Sequence, residues 1–329
     1  MEYDKYIKYK NKYIELKREL AEHNIFYYLN EFKKKVLDIV WSSYSNPNAV
    51  SKNSVEGMFM KWYLNSIENG YIPKDKFNIK SDILYQDRKY GFKLKPTEIM
   101  DLVNKEVIEL NNKVKYVNDE YTYKPIFSKI QLELLKKKYT GPENEYNKHI
   151  NFLSELYSFM GGLSNHMSVP PALIPENCIE LFGTPVNTRY KFCSPFIIEK
   201  EHFSSLGSFF DYDIKSGMHI ANPPFDEDIM ARMVNRLNEQ LNKNTQTDII
   251  IVIPKWSDLI AYKNMLISKY HKKNRTINKQ NCVFFNYYDQ SHVAVVDCYI
   301  IHFSNYETKF DIDDFISKWS SIKPGKHIA

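Results

Sequence analysis

Glycine and cysteine are both scarce in this chain, and long apolar runs are missing. Of 329 residues, 10 are glycine and 4 are cysteine. The cysteines stand far apart, without a C-x-x-C pair or a Cys/His cluster, so no structural zinc site, other metal or disulfide framework is expected, and a reducing compartment fits best. The longest apolar run, Ile249–Ile253, is too short to cross a bilayer, and the charged start is unlike a signal peptide. A soluble protein without membrane contact is expected.

Charge alone indicates no partner. The formal net charge is +5, which is compatible with a polyanionic ligand and equally with an ordinary lysine-rich surface. Hydrophobic residues make up 43% of the chain and aromatic residues 15%, which excludes disorder as its general state.

Helical periodicity dominates the first part of the chain, and a different pattern follows it. An apolar stripe at helical spacing is formed by Tyr6, Tyr9, Tyr13, Leu16 and Leu20. Helices are predicted up to about residue 115, with breaks at 45–48 and 69–73, and again over 128–138 and 144–160. Strands are then predicted at 179–182, 218–221, 248–253 and within 293–303, with helices at 230–241 and 257–269. This alternation predicts an α/β domain with a largely parallel sheet (126–329), preceded by an α-helical domain (1–125).

The tetrapeptide Asn222-Pro223-Pro224-Phe225 follows the predicted strand 218–221. Ligands of open α/β sheets bind beyond the carboxyl ends of the strands, so the position suits a site. An aromatic amine is a poor nucleophile because its lone pair is delocalised into the ring. The Asn222 side-chain oxygen and the Pro223 carbonyl could accept its two N–H groups, and Phe225 could stack on the base. The alternative is that Pro-Pro ends a strand and Phe225 packs in the core.

Asp211 lies eleven residues before Asn222, and its carboxylate is a candidate acceptor for the adenine amine of a cofactor. Asp213 competes for this role, and a plain turn aspartate is the third interpretation. Asp226, Glu227 and Asp228 suit the start of the following helix, where negative charge is favourable.

Amino-methyltransferases with an Asn-Pro-Pro-aromatic motif usually carry a glycine-rich loop after their first strand, where this chain has Glu180-Leu181-Phe182-Gly183-Thr184-Pro185-Val186-Asn187. Together with Cys193-Ser194, Asp211, 221–225 and Ile253-Pro254-Lys255-Trp256, this stretch resembles the phosphorylated-CTD-interacting factor family. Its members are cap-specific adenosine N6 methyltransferases, and the resemblance covers roughly residues 125–305.

The resemblance implies a Rossmann-like methyltransferase domain that uses S-adenosylmethionine and acts on capped mRNA, at a 2′-O-methyladenosine beside the cap. The catalytic residues it implies are Asn222, Pro223, Pro224 and Phe225. The cofactor residues it implies are Phe182, Gly183, Pro185, Asn187, Asp211 and Asn222. Two departures are expected: the N-terminal WW module of the animal enzyme is missing, which puts binding of the polymerase tail in doubt, and Lys255 stands where the family has an acidic residue.

The RNA and cap contacts are predicted at Trp256, Lys272, Lys273 and Arg275. The basic stretch 271–275, with Lys279, is interpreted as a loop near the carboxyl edge of the sheet and as the better candidate for the cap triphosphate. The stretch Lys136–Lys138 is the weaker one, because its lysines suit a solvated helix face. Trp256 could stack on a base or on the cap guanine, or pack in the core.

Composition typical of an AT-rich genome and the compact size indicate a large DNA virus, which implies location in the host cytoplasm, a viral factory or the virion, with other capping or transcription subunits as partners. Two other functions stay open. One is an amino-methyltransferase for DNA adenine, internal RNA or protein glutamine. The other is a catalytically silent subunit that binds the cap or RNA.

Overall fold

The computed structural model describes residues 10, 24–67, 71–73, 87–114, 126–163, 166–243, 246–256 and 259–326. The stripe predicted between Tyr6 and Leu20 lies outside these residues. The chain packs as two compact units, residues 1–124 with 150–160 and residues 125–149 with 161–329. The predicted division after residue 125 assigned 150–160 to the second domain, whereas this stretch packs within the first unit.

The described residues of the first unit are mostly helical, as predicted. The helices are α1 (Ile25–Ser43), α2 (Lys52–Ser66) and α3 (Pro96–Lys113), with a short 3₁₀ turn at Pro47–Ala49. Asn24 begins α1 by accepting a hydrogen bond from the Phe26 amide at 3.0 Å. The Phe32 ring lies 5.9 Å from the rings of both Phe59 and Trp62, so an aromatic core joins α1 to α2.

Two further helices confirm the predictions for 128–138 and 144–160. Helix α4 spans Lys129–Lys138, and α5 spans Tyr146–Phe159 after a 3₁₀ turn at Glu143–Glu145. A capping box begins α4, because the Ser128 hydroxyl accepts from the Gln131 amide and the Gln131 side chain accepts from the Ser128 amide. Within the described ranges, no helix is long and apolar enough to cross a membrane.

The rest of the second unit alternates strands and helices. The strands are β1 (Met167–Ser168), β2 (Ile179–Glu180), β3 (Lys191–Phe192), β4 (Gly217–Ala221), β5 (Thr247–Pro254), β6 (His271–Ile277), β7 (Val283–Asn286), β8 (Ser291–Ala294), β9 (Cys298–Ser304) and β10 (Gly325–Lys326). The helices are α6 (Ile197–His202), α7 (Glu227–Leu241), α8 (Ile260–Leu266) and α9 (Ile312–Ser321), with a 3₁₀ turn at Pro171–Leu173.

A six-stranded sheet organises this unit, in the order β3-β2-β4-β5-β9-β6. The pairs β2/β3, β2/β4 and β4/β5 are parallel, while β9 runs antiparallel to both of its neighbours. Five strands therefore point the same way, which confirms the predicted α/β class with a largely parallel sheet. From β2 the chain passes to β3 on one side and then to β4 on the other, so a topological switch point lies between β2 and β4.

Both faces of the sheet are covered. The eight residues of β5 are all buried, because alternate side chains enter two different cores. Ile249, Ile251 and Ile253 pack with the apolar stripe of α7 that includes Met230 and Leu237. On the other face, Ile250 and Val252 pack with Phe284 of β7 and Trp319 of α9.

A second sheet, β1-β7-β8-β10, contains only antiparallel pairs. The predicted strand segment 293–303 therefore divides between two sheets, with β8 in the second sheet and β9 in the first. The two-residue strand β3 was not predicted, since it is too short to show a hydrophobic period.

Candidate active site

The loop Asn222–Phe225, called the β4 loop below, joins the carboxyl end of β4 to α7 and is fixed at both ends. Ala221 is paired with Ile251 in the parallel ladder. The Pro224 carbonyl accepts from the Asp226 amide at 2.7 Å, and the buried Asp226 carboxylate caps α7 by accepting from the Ile229 amide at 2.9 Å. The backbone of the loop is therefore held by the secondary structure on either side.

The Asn222 side-chain oxygen is buried and has no hydrogen-bond partner in the described structure. Leaving a buried acceptor unpaired costs about 1–3 kcal/mol, so such an atom requires an explanation. Among the described residues, the neighbouring Pro223 carbonyl also receives no hydrogen bond, whereas the Pro224 carbonyl does. Two acceptors of the β4 loop thus remain open in the sense that no described group donates a hydrogen bond to them.

Aromatic side chains flank these acceptors. Phe225 is half-buried, and its ring meets the rings of Trp256 and Phe284 edge-on, at centroid distances of 6.5 and 6.2 Å. Trp256, just past the end of β5, is 41% exposed and so does not pack in the core. The structure therefore brings the predicted base-stacking residues, Phe225 and Trp256, to the same edge of the sheet.

The loop after β2 (Phe182–Thr188, the β2 loop) is held by its own side chains. The Asn187 side-chain oxygen accepts from the amide and the hydroxyl of Thr184, at 2.7 and 2.9 Å. A Cβ atom on Gly183 would overlap the Thr188 methyl group, so a larger residue there would force the loop or Thr188 to shift. Pro185 is buried in the same loop. The described contacts of Asn187 and Gly183 thus shape the loop, and any contact with a cofactor stays a prediction.

Asp211 lies close to the β2 loop through a cluster of phenylalanines. The Phe182 ring is 4.9 Å from the ring of Phe209 and 6.2 Å from that of Phe210. Asp211 is exposed, and within the described part of the chain its carboxylate makes no hydrogen bond or ion pair. The carboxyl group that competes with it, on Asp213, is differently placed.

Asp213 is bound by two residues of α7 and by Lys243, which follows that helix. Its carboxylate accepts from Lys243 at 2.8 Å and from Gln240 at 3.2 Å, and Arg236 lies 3.5 Å away. The hydrogen bond from Lys243, followed by that from Gln240, lowers the pKa of Asp213 below its usual value. Of the two aspartates, Asp211 is therefore the one left open to a ligand.

The basic stretch predicted to be a loop is strand β6, so that prediction is wrong. Lys273 pairs in register with His302, which faces Ile250 in the amino half of β5. Because Ile250 also pairs with Ile220, Lys273 is level with the carboxyl end of β4, two residues before the β4 loop begins, although β5 and β9 lie between β6 and β4. Lysines are common on edge strands, where they oppose pairing with other chains, and β6 is an edge strand.

The cations of this strand are also engaged. Lys273 and Arg275 both pair with the Asp313 carboxylate on α9, the Arg275 Nε at 2.6 Å. These hydrogen bonds lower the pKa of Asp313, that from Lys273 most. The role of Lys272, Lys273 and Arg275 in binding the cap stays a prediction.

Two other lysines do lie at the carboxyl edge. The Lys255 amide donates to the Asp297 carbonyl at 2.7 Å, and the Lys279 amide donates to the Asp297 carboxylate at 2.6 Å. Both lysines are exposed, and Lys255 is next to Trp256. The sequence alone could not distinguish Lys279, which lies beyond the end of β6, from the rest of the basic stretch.

Lys138, the last residue of α4, was grouped by sequence with Lys136 and Lys137 on a solvated helix face, and the structure separates it from them. Its half-buried side chain points at the β2 loop, and its ammonium donates to the Thr188 carbonyl and hydroxyl, each at 2.6 Å, and to the Pro185 carbonyl at 3.1 Å. Burial lowers the pKa of Lys138 to about 8 and raises that of nearby Glu180 to about 7, while the opposite charges oppose both shifts.

In the described residues, no group of three or more His, Cys, Asp or Glu side chains could hold a metal.

Comparison with known proteins identifies the region around these loops. The family model described as "Phosphorylated CTD interacting factor 1 WW domain" matches residues 174–289. The mRNA (2'-O-methyladenosine-N(6)-)-methyltransferases of Mus musculus and Homo sapiens are each 33% identical over 81 residues. That match covers 24% of this chain but only 12% of either relative.

The expectation that the WW region is missing is wrong, since the model carrying that description matches the chain. In this structure, residues 174–289 contain β2 to β7, the β2 loop, Asp211 and the β4 loop. The matched region is therefore the one that holds the open acceptors.

Proposed function

We propose that the chain is a member of the phosphorylated-CTD-interacting factor family and an S-adenosylmethionine-dependent methyltransferase acting on N6 of the adenosine beside an mRNA cap. The observation that carries this proposal is the buried, unpaired Asn222 oxygen at the carboxyl end of β4. It lies at the edge where parallel α/β sheets bind their ligands, beside an exposed tryptophan.

Asn222 and Pro223 fit an exocyclic amine. The two acceptors would hold both N–H bonds away from the planar geometry in which the nitrogen lone pair is delocalised into the ring. Electron density would then concentrate on the nitrogen. Phe225 and Trp256 supply aromatic surface for the base, and stacking of this kind contributes about 1–3 kcal/mol. Positioning and preorganised acceptors account for most of the catalysis, so no strong general base is required.

The β2 loop and Asp211 fit the cofactor. We propose a Rossmann-like arrangement in which S-adenosylmethionine lies at the switch point beside β2 and supplies an electrophilic methyl group. The open Asp211 carboxylate would accept from its adenine amine, and Phe182 would line the cleft with Phe210. The β2 loop takes the place of a glycine-rich loop, with Gly183 at a position where a Cβ atom would overlap the Thr188 methyl group.

The substrate is proposed from the relatives, whose name specifies 2′-O-methyladenosine in mRNA. For the phosphates we favour Lys255 and Lys279 over the lysines of β6, because they follow the carboxyl ends of β5 and β6 and Lys255 is next to Trp256. Capped mRNA is thus proposed to cross this edge, with the target adenine stacked on the aromatic surface that Phe225 and Trp256 form there.

Competition in one methyl-transfer assay tests this proposal against its alternatives. Radiolabelled S-adenosylmethionine is offered with capped RNA, uncapped RNA of the same sequence, duplex DNA and a glutamine peptide. We expect transfer to capped RNA to dominate. Preference for DNA, internal RNA or the peptide would instead indicate another amino-methyltransferase. RNA binding without transfer to any substrate would indicate the silent subunit.

A further inference from the structure

Both the side chain and the backbone of Lys138 are held by hydrogen bonds. Its ammonium makes three hydrogen bonds to Pro185 and Thr188, and two of these bonds satisfy carbonyl oxygens of the β2 loop. The same ammonium lies 5.0 Å from the centre of the Phe192 ring of β3. An exposed helix-end lysine would make none of these contacts.

The backbone of Lys138 is held by a different segment. Its carbonyl accepts from the Ser204 hydroxyl at 2.7 Å, and the Thr140 amide donates to the His202 carbonyl at 2.9 Å. Ser204 adopts a positive φ of 62°, a conformation that a non-glycine residue rarely takes. Next to it, Ser205 forms a parallel bridge with Phe192. This segment then leads to the turn that carries Asp211.

We propose that Lys138 is a positioning residue of the cofactor site, which ties the β2 loop to the segment that presents Asp211 and so keeps both at the spacing that S-adenosylmethionine needs. The inference rests on the proposed function. It explains how the loop keeps one shape without a glycine-rich sequence, since a side chain from α4 supplies the hydrogen bonds that fix its carbonyls.

The first test removes the ammonium. Lys138→Met keeps a long unbranched chain but donates no hydrogen bond, and Lys137→Met, at the exposed neighbouring lysine, makes the same change in net charge. The dissociation constant of S-adenosylhomocysteine is measured by calorimetry, and KM for S-adenosylmethionine and kcat by methyl transfer. We expect both the dissociation constant and KM to rise tenfold or more in Lys138→Met, with kcat at saturating cofactor within about twofold of the unmodified protein. Lys137→Met should change none of them.

Three outcomes overturn the inference. Wild-type protein that binds S-adenosylhomocysteine, with the same affinity in Lys138→Met, refutes the role of Lys138 alone. A Lys138→Met variant with a lower kcat but unchanged cofactor affinity also refutes the role of Lys138. Wild-type protein without affinity for the cofactor removes the proposed function, and this inference with it.

Two measurements keep the test decisive if Lys138→Met fails to fold. Thr188→Val removes one acceptor of the Lys138 ammonium, together with the hydrogen bond from the Thr188 hydroxyl to the Thr184 carbonyl, while keeping the branched shape, and it should weaken cofactor binding severalfold. In the unmodified protein, cofactor affinity should fall as pH rises through about 8, where Lys138 loses its proton. The charged groups facing Lys138 are Glu180, Glu199 and Lys137, and burial raises the pKa of Glu180 to about 7, just below this range. Affinity that is flat from pH 7.5 to 9.5, with Thr188→Val unchanged, contradicts the inference.

Discussion

At the scale of single residues, the site depends on which polar atoms remain unpaired. The Asn222 oxygen is buried without a partner, and the Asp211 carboxylate is exposed without one, whereas Asp213 is bound by α7. Sequence suggested both Asn222 and Asp211 from their order along the chain. It could not choose between Asp211 and Asp213, because the choice depends on Lys243 and Gln240, about thirty residues further on.

Asn222→Ala should reduce kcat by about 10²–10³, the usual effect of losing one preorganised contact to the reacting group. Cofactor affinity should change much less, because the lost oxygen is proposed to contact the target amine. Asn235→Ala, at an exposed position of α7, is the control and should retain full turnover. Steady-state kinetics with saturating RNA measures both. An Asn222→Ala variant that keeps its kcat would remove this residue from the chemistry.

Asp211→Ala should weaken binding of S-adenosylhomocysteine by roughly 1–3 kcal/mol, since the cofactor's amine would be buried without its acceptor. Asp213→Ala should leave that affinity unchanged, because its carboxylate faces Lys243. Titration calorimetry on the two variants separates them. The reverse pattern would assign the contact to Asp213.

At the scale of helices and strands, long periodic elements were predictable and short or edge elements were not. The stripe of α7 and the apolar run of β5 carry their structure in their own residues. Strand β6 does not, because its lysines and arginine lie on an edge strand and resemble a basic loop. Lys138 shows the same limit, since only the folded chain distinguishes it from Lys136 and Lys137.

Gly183→Ala tests the shape of the β2 loop. The added methyl group would overlap the Thr188 side chain and force the loop to move, so cofactor affinity should fall at least tenfold. Gly57→Ala is the matched control, because a Cβ there meets open space in α2. It should stabilise the protein by about 0.5–1 kcal/mol and leave cofactor affinity unchanged. Equal cofactor affinity in both variants would show that the loop does not form the site.

The two basic regions give opposite predictions for RNA. Lys255→Glu with Lys279→Glu should raise KM for capped RNA and flatten its salt dependence, with kcat at saturation largely preserved. Lys272→Glu, on the amino side of β6, should have a much smaller effect. Kinetics at several salt concentrations distinguishes them. A larger effect from Lys272 would restore the β6 lysines as the phosphate contacts.

At the scale of the whole molecule, the family match and the open acceptors coincide. Residues 174–289 hold the carboxyl ends of β2, β4 and β5, which the parallel register brings to one edge of the sheet. The matched stretch is about a third of the chain, so cap dependence and the role of the helical unit stay proposals. So does the viral, cytoplasmic setting expected from composition.

Nucleoside mass spectrometry tests the central claim most directly. The protein is incubated with S-adenosylmethionine and with two capped RNAs that differ only in a 2′-O-methyladenosine or a 2′-O-methylguanosine beside the cap, and both are digested to nucleosides. We expect N6,2′-O-dimethyladenosine from the first RNA and no new methylation of the second. Methyl transfer to a ribose hydroxyl, to guanine N7 or to no nucleoside at all would contradict it.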